Sequence, residues 1–270
     1  MRKDDLAMNN DIPDSIKDKI KDEKYEMDDV GMSRGSILLF SDKVLKIQEN
    51  SEEAVNEVLA MHWLEGQLSV PKVIAYECRD TKSYLLMTRM LGKMTCDESY
   101  MSDPEKLTAL LAQALQELWK VDISACPLNW TLDRKLQAAQ FNINHNLVDI
   151  ENVEPDTFGP GGFENPEALL QWLKANKPKE ELVLSHGDFC LPNIYITDDD
   201  RFGFIDLGRT GISDKWQDIA LCYRSLKHNY TGKYAVKEYP GYYPDMLFEK
   251  LGLRPDWDKI RYYTLLDELF

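Results

Sequence analysis

The sequence predicts an α+β fold, with a small antiparallel-sheet part over residues 1–90 and a larger, mainly helical part over residues 91–270. Three observations predict it. Short β-prone runs separated by glycine and polar turns crowd the first part, helical periodicity dominates the second, and residues 184–206 interrupt the helices with a loop and two short apolar runs.

Taken in order, Ile12, Pro13, Ile16 and Ile20 place apolar residues at helical spacing, with Pro13 suited to a helix start, so residues 12–22 are expected to be helical. Tyr25–Val30, Ile37–Phe40 and Val44–Ile47 read as strands, joined by Gly31-Met32-Ser33-Arg34-Gly35-Ser36 and by Ser41-Asp42-Lys43. From Ser51 to Glu65 the residues Val55, Val58, Leu59 and Trp63 recur at helical spacing, with Ser51 as N-cap and Gly66 as stop. Strands follow at Lys72–Glu77 and Tyr84–Thr88, then a linker at Met90-Leu91-Gly92-Lys93. Beyond it, residues 105–121, 131–147, 166–176, 214–227, 243–251 and 256–269 show the helical repeat, and Gly159-Pro160-Gly161-Gly162 marks a flexible loop.

Composition narrows the class of function. At 270 residues, 43% hydrophobic and 29% charged, the chain can bury a substantial core. No apolar run is long enough to cross a bilayer and no signal core follows the charged N-terminus, so a cytoplasmic protein is expected. Five widely spaced cysteines without a Cys-x-x-Cys pair support neither a disulfide framework nor a zinc site. The net charge of −15 argues against nucleic acid and suits a cationic partner.

The chemistry concentrates in Leu184-Ser185-His186-Gly187-Asp188-Phe189-Cys190-Leu191-Pro192-Asn193 and Phe204-Ile205-Asp206-Leu207-Gly208-Arg209. A carboxylate followed five residues later by an amide is the catalytic-loop arrangement of kinases. Asp188 is the expected group that orients and deprotonates the attacking hydroxyl, while Asn193 and Asp206 are the expected ligands of two Mg²⁺ ions. Ile194–Thr197 and Phe202–Ile205, with the polar turn 198–201 between them, form a hairpin that would bring the three together. Met32 and Ser33 lie in a small-residue loop whose backbone could meet nucleotide phosphates, and Lys46 follows in the next strand, as the phosphate-binding lysine of kinases does. Glu53 and Glu57 share a face of the next helix, so spacing alone does not select the partner of Lys46. At the end of the last strand of this part, Thr88 C=O and Met90 N–H are the expected contacts to the base of ATP.

These segments, together with Gly31-Met32-Ser33, Trp63-Leu64-Glu65-Gly66, Asp214-Lys215-Trp216-Gln217-Asp218-Ile219-Ala220 and the terminal Leu265-Leu266-Asp267-Glu268-Leu269-Phe270, resemble the aminoglycoside 3′-phosphotransferase family. The resemblance implies a protein-kinase-like two-lobe fold and ATP-dependent phosphorylation of the 3′-hydroxyl of aminoglycoside antibiotics, which inactivates them. It selects Glu57 as the partner of Lys46, makes Asp218 a support of the catalytic loop, and assigns the cationic acceptor to Asp267, Glu268 and the carboxylate of Phe270, joined by Arg209 and Arg224. The acidic loop before the catalytic strand keeps Glu151, Glu154 and Asp156, and of these Asp156 is the expected acceptor contact. Two departures stand out. Val44 takes the place of an aromatic residue that stacks on the base, and Lys227-His228-Asn229 replaces acidic residues after Arg224. A kinase of the same fold acting on another small alcohol is the alternative, whereas a pseudokinase is disfavoured because the Lys, catalytic Asp, Asn and metal Asp are all present.

Overall fold

A computed structural model describes residues 12–21, 23–28, 35–199, 201–233 and 238–270. Contacts group the chain into two compact units, residues 1–93 with 195–208, and residues 94–194 with 209–270. The first unit thus includes the segment from Tyr195 to Gly208, before Arg209.

In the first unit the order is α1 (Asp14–Lys17), β1 (Glu26–Asp28), β2 (Ser36–Leu39), β3 (Lys43–Glu49), α2 (Glu52–Leu64), β4 (Val73–Arg79) and β5 (Lys82–Thr88). The strands form an antiparallel sheet in the order β1-β2-β3-β5-β4. Side chains alternate across a strand, so Leu38, Phe40, Leu45, Ile47, Tyr84 and Leu86 share one core with Ile12 and Ile16. The same alternation turns Val44 and Lys46 to the other face. Register places Ile37 and Leu85 on either side of Lys46, and Leu39 and Met87 on either side of Val44. The N-terminal helix is shorter than its apolar spacing predicts. After Lys17 the backbone continues in tighter turns, with Lys19 N–H bonded to Ile16 O and Ile20 N–H to Lys17 O. Ser51 caps α2 by accepting Ala54 N–H at 3.1 Å.

The short β6 (Lys93–Met94) marks the passage between units. The second unit then holds α3 (Glu98–Met101), α4 (Pro104–Trp119), α5 (Leu132–Asn144), α6 (Pro166–Ala175), β7 (Leu182–Ser185) and a turn of 3₁₀-helix at Leu191–Asn193. Next in the chain come β8 (Ile194–Ile196) and β9 (Phe202–Phe204), the expected hairpin, which falls in the first unit from Tyr195 on; the second unit resumes with β10 (Gly211–Asp214), α7 (Lys215–Tyr230), α8 (Met246–Leu251) and α9 (Trp257–Asp267). Helix α7 packs against α9 and α4 and is buried on nearly every side, which explains its mixed apolar and polar composition. Strands β7 and β10 pair antiparallel and set the catalytic segment at one end of their ribbon. The sequence led to the expectation of a catalytic strand without bounds, which is β7, and did not mark β10, since four residues give too short a run for alternation to register. No helix among the described residues is long and apolar enough to cross a membrane.

Candidate active site

In the first unit, β3 delivers Lys46 and α2 delivers Glu57, with Nζ 3.0 Å from Glu57 Oε2 and 2.8 Å from Asp206 Oδ1. Glu57 is 1% exposed, which settles the choice between the two glutamates of α2. Burial pushes the Lys46 ammonium down, but the Glu57 and Asp206 carboxylates outweigh it and hold the group above the ordinary lysine range. Asp206 adopts a left-handed backbone, φ +59, which costs energy for a residue with a Cβ and is a recurrent mark of functional sites. Its neighbours are anchored to α2, where Asn56 Nδ2 donates to Gly208 O at 2.9 Å.

Thr88 closes β5 and is tied to Lys72, its Oγ1 accepting Lys72 N–H at 2.8 Å. Met90 packs on β9, where a Cβ on Gly203 would lie 2.7 Å from Met90 Sδ. Met32 and Ser33 lie outside the described residues.

In the second unit, the loop after β7 carries Asp188. Both carboxylate oxygens are engaged, Oδ1 by the Cys190 thiol at 3.0 Å and Oδ2 by Asn193 Nδ2 at 2.9 Å. Burial, reinforced by the Asp188 charge, pushes the Cys190 thiol well up, so it serves as a hydrogen-bond donor and not as a nucleophile. Asn193 Nδ2 also donates to Asp188 O at 3.0 Å, which fixes the amide plane. Behind the loop, fully buried Asp218 on α7 accepts from Ser185 Oγ at 3.0 Å, His186 N–H at 2.8 Å and Gly187 N–H at 2.9 Å. Gly187 has φ +85, and a Cβ there would meet Arg209 O at 2.1 Å, so only glycine fits.

A third cluster, also in the second unit, gathers the C-terminal residues. Arg209 Nη1 reaches Asp267 Oδ1 at 2.8 Å, Arg224 pairs with both Asp267 Oδ2 and Glu268, and the Arg209 guanidinium lies 5.3 Å from the centroid of the Phe270 ring. Asp267 is drawn up by burial, but the two arginines outweigh that and hold it below the usual carboxylate range. Glu268 is different: burial, only partly offset by Arg224, lifts it to about 7. From the acidic loop it is Glu154, not the exposed Asp156, that joins this cluster. Glu154 N–H donates to Glu268 Oε2 at 3.1 Å, and its carboxylate receives Lys233 at 2.8 Å and His228 Nε2 at 3.1 Å. Of the residues that depart from the family pattern, His228 therefore contacts Glu154, one of the acids that the loop retains.

Over residues 39–263 the chain matches the model of the phosphotransferase enzyme family. It is 44% identical over 214 residues to an aminoglycoside 3′-phosphotransferase of Enterococcus faecalis, covering 78% of this chain and 76% of that one. A second, from Staphylococcus aureus, is 42% identical with the same coverage. Among solved structures, an aminoglycoside 3′-phosphotransferase of type VIII superposes with a TM-score of 0.80 at 21% identity, covering 98% of both chains. An aminoglycoside phosphotransferase of Streptomyces rimosus, in complex with ADP and streptomycin, superposes with a TM-score of 0.75 at 20% identity and the same coverage. The chain is thus a member of the aminoglycoside 3′-phosphotransferase family.

Proposed function

We propose that this chain transfers the γ-phosphoryl group of ATP to the 3′-hydroxyl of an aminoglycoside, and so confers resistance to it. The observation that carries the reading is the Asp188 carboxylate, held between the Cys190 thiol and the Asn193 amide on a loop clamped by Asp218. A carboxylate fixed in this way can accept the acceptor's hydroxyl proton and hold its oxygen in line with the γ-phosphorus. As the new oxygen–phosphorus bond forms and the bond to ADP breaks, the proton passes late to Asp188. Lys46, kept charged by Glu57, would neutralise phosphate oxygens of the nucleotide. Thr88, Met90, Met32 and Ser33 would complete the nucleotide contacts through their backbone.

Asn193 and Asp206 suit Mg²⁺, because both present hard oxygen donors and Asn193 commits its Nδ2 to Asp188, which leaves Oδ1 as its ligand atom. Such ions would supply neutralisation of the charge that develops on the phosphate in the loose transition state. The acceptor's ammonium groups would meet Glu268 and Asp267, which the two arginines hold in place.

The test is a coupled assay of ATP consumption with 3′-hydroxylated aminoglycosides of the kanamycin and neomycin type, the 3′-deoxy relative tobramycin, choline and simple sugars. Turnover of the first group without phosphorylation of tobramycin supports the reading. Equal turnover of tobramycin points to another hydroxyl, and turnover of choline or sugars alone overturns the acceptor assignment. Asp188→Ala should retain ATP affinity and lose turnover by about three orders of magnitude or more.

A further inference from the structure

The turn that carries Asn193 is too short to hold itself. Leu191–Asn193 form a single turn of 3₁₀-helix, closed by Asn193 N–H on Cys190 O at 3.0 Å and by Ile194 N–H on Leu191 O. Fixing the torsions of one such turn costs more free energy than its two hydrogen bonds recover, so its place must be set from outside. The fully buried Leu191 side chain decides where the turn lies, but apolar burial is non-directional and leaves the rotation of its peptide open.

Two hydroxyls remove that freedom. Thr95, which directly follows β6, is 0% exposed; its Oγ1 donates to Leu191 O at 2.8 Å and its N–H to Ile194 O at 2.8 Å, so one residue grips both ends of the turn. Ser225, buried on α7, accepts Leu191 N–H on its Oγ at 3.0 Å. Hydrogen bonds are directional, and with a hydroxyl on each of its two polar groups Leu191 is oriented as well as buried. Ser225 also lies two helical turns beyond Asp218, on the same face of α7. This helix therefore holds the catalytic loop on both sides of Asp188, through the N–H groups of His186 and Gly187 before it and that of Leu191 after it. What the turn delivers is the Asn193 amide, whose Nδ2 meets Asp188 O at 3.0 Å and Asp188 Oδ2 at 2.9 Å, and a tilt of the turn would swing that amide off the carboxylate. We propose that Thr95 and Ser225 are positioning residues, whose hydroxyls orient Leu191 so that Asn193 holds Asp188 in line for phosphoryl transfer. The inference rests on the proposed role of Asp188 and adds what sets the amide against it.

The test removes each hydroxyl singly, by Thr95→Val and Ser225→Ala, and restores one by Thr95→Ser. Each removal should lower kcat by about tenfold or more with ATP and aminoglycoside KM near native, because small displacements of a catalytic group cost on that scale. Thr95→Ser should bring kcat back to within about threefold of native. A double-mutant cycle, read in single turnovers so that slow variants stay measurable, separates positioning from a general loss of stability. In an Asn193→Ala background Thr95→Val should cost less than about twofold, since the amide it places is gone. Hydrogen exchange at neutral pH is independent of turnover, and residues 189–194 should exchange faster in Thr95→Val while α5 exchanges as in the native chain. A folded Thr95→Val enzyme with native kcat and native exchange overturns the proposal, as does an equal loss of kcat with and without Asn193. If Thr95→Val does not fold, the same cycle and the same outcomes apply to Ser225→Ala. Absence of aminoglycoside phosphorylation by the native chain would overturn the parent reading, and exchange at residues 189–194 would then decide for or against the clamp.

Discussion

Lys46 illustrates how a residue can be read in one dimension and understood only in three. Its strand, its exposure pattern and its place after a small-residue loop were legible, but two carboxylates contend for it, and only the packing of α2 shows that Glu57 is the buried one. Breaking this pair by Lys46→Met should leave Glu57 as a buried uncompensated charge and destabilise the protein by about 3 to 5 kcal/mol. Adding Glu57→Gln should restore much of the stability seen in chemical denaturation, yet ATP binding should remain impaired because the phosphate-facing cation is still missing. Recovery of both together would remove Lys46 from nucleotide binding. Glu268 supports a second prediction. Its carboxyl sits at about 7, and an approaching ammonium favours its ionised form. Acceptor binding should therefore release a proton, and acceptor KM should fall as pH rises from about 6 to 8. Glu268→Gln should raise that KM and flatten its pH dependence. A native slope in the variant would take Glu268 out of the acceptor site.

At the scale of elements, the ribbon of β7 and β10 and the buried helix α7 do what the catalytic loop cannot do for itself. Residues 184–188 include a left-handed glycine, and the N–H groups of His186 and Gly187 are satisfied by the side chain of Asp218. Gly187→Ala should cost turnover by about two orders of magnitude or more, because both the positive φ and the approach of Arg209 O exclude a Cβ. Near-native kcat in a folded Gly187→Ala enzyme would mean that the loop is not held as described. The motif residues were visible in the sequence because their chemistry demands particular side chains at short spacing. The ribbon that carries them was not, because each strand is only four residues long and its pairing is non-local.

For the whole molecule, the net charge of −15 acts on every encounter. A polycationic acceptor should be attracted and an anionic nucleotide repelled, so added salt should lower kcat/KM for the aminoglycoside and leave or raise that for ATP. A parallel fall in both would place the relevant field at the sites themselves and not in the molecule as a whole. The sequence by itself determined the α+β class, most of the succession of strands and helices, the pairing of Asp188 with Asn193 in one short loop, and membership in a family of small-molecule kinases. Periodicity and short-range spacing encode these things, and they are written locally. Tertiary structure decided which glutamate meets Lys46, that the basic residues His228 and Lys233 pair with Glu154, that Glu154 and not Asp156 joins the C-terminal cluster, and that Asp267 and Glu268 are braced by Arg209 and Arg224. Each of these depends on residues far apart in the chain sharing one buried environment, where burial and charge reset the acidity of every group, and no local pattern carries that information.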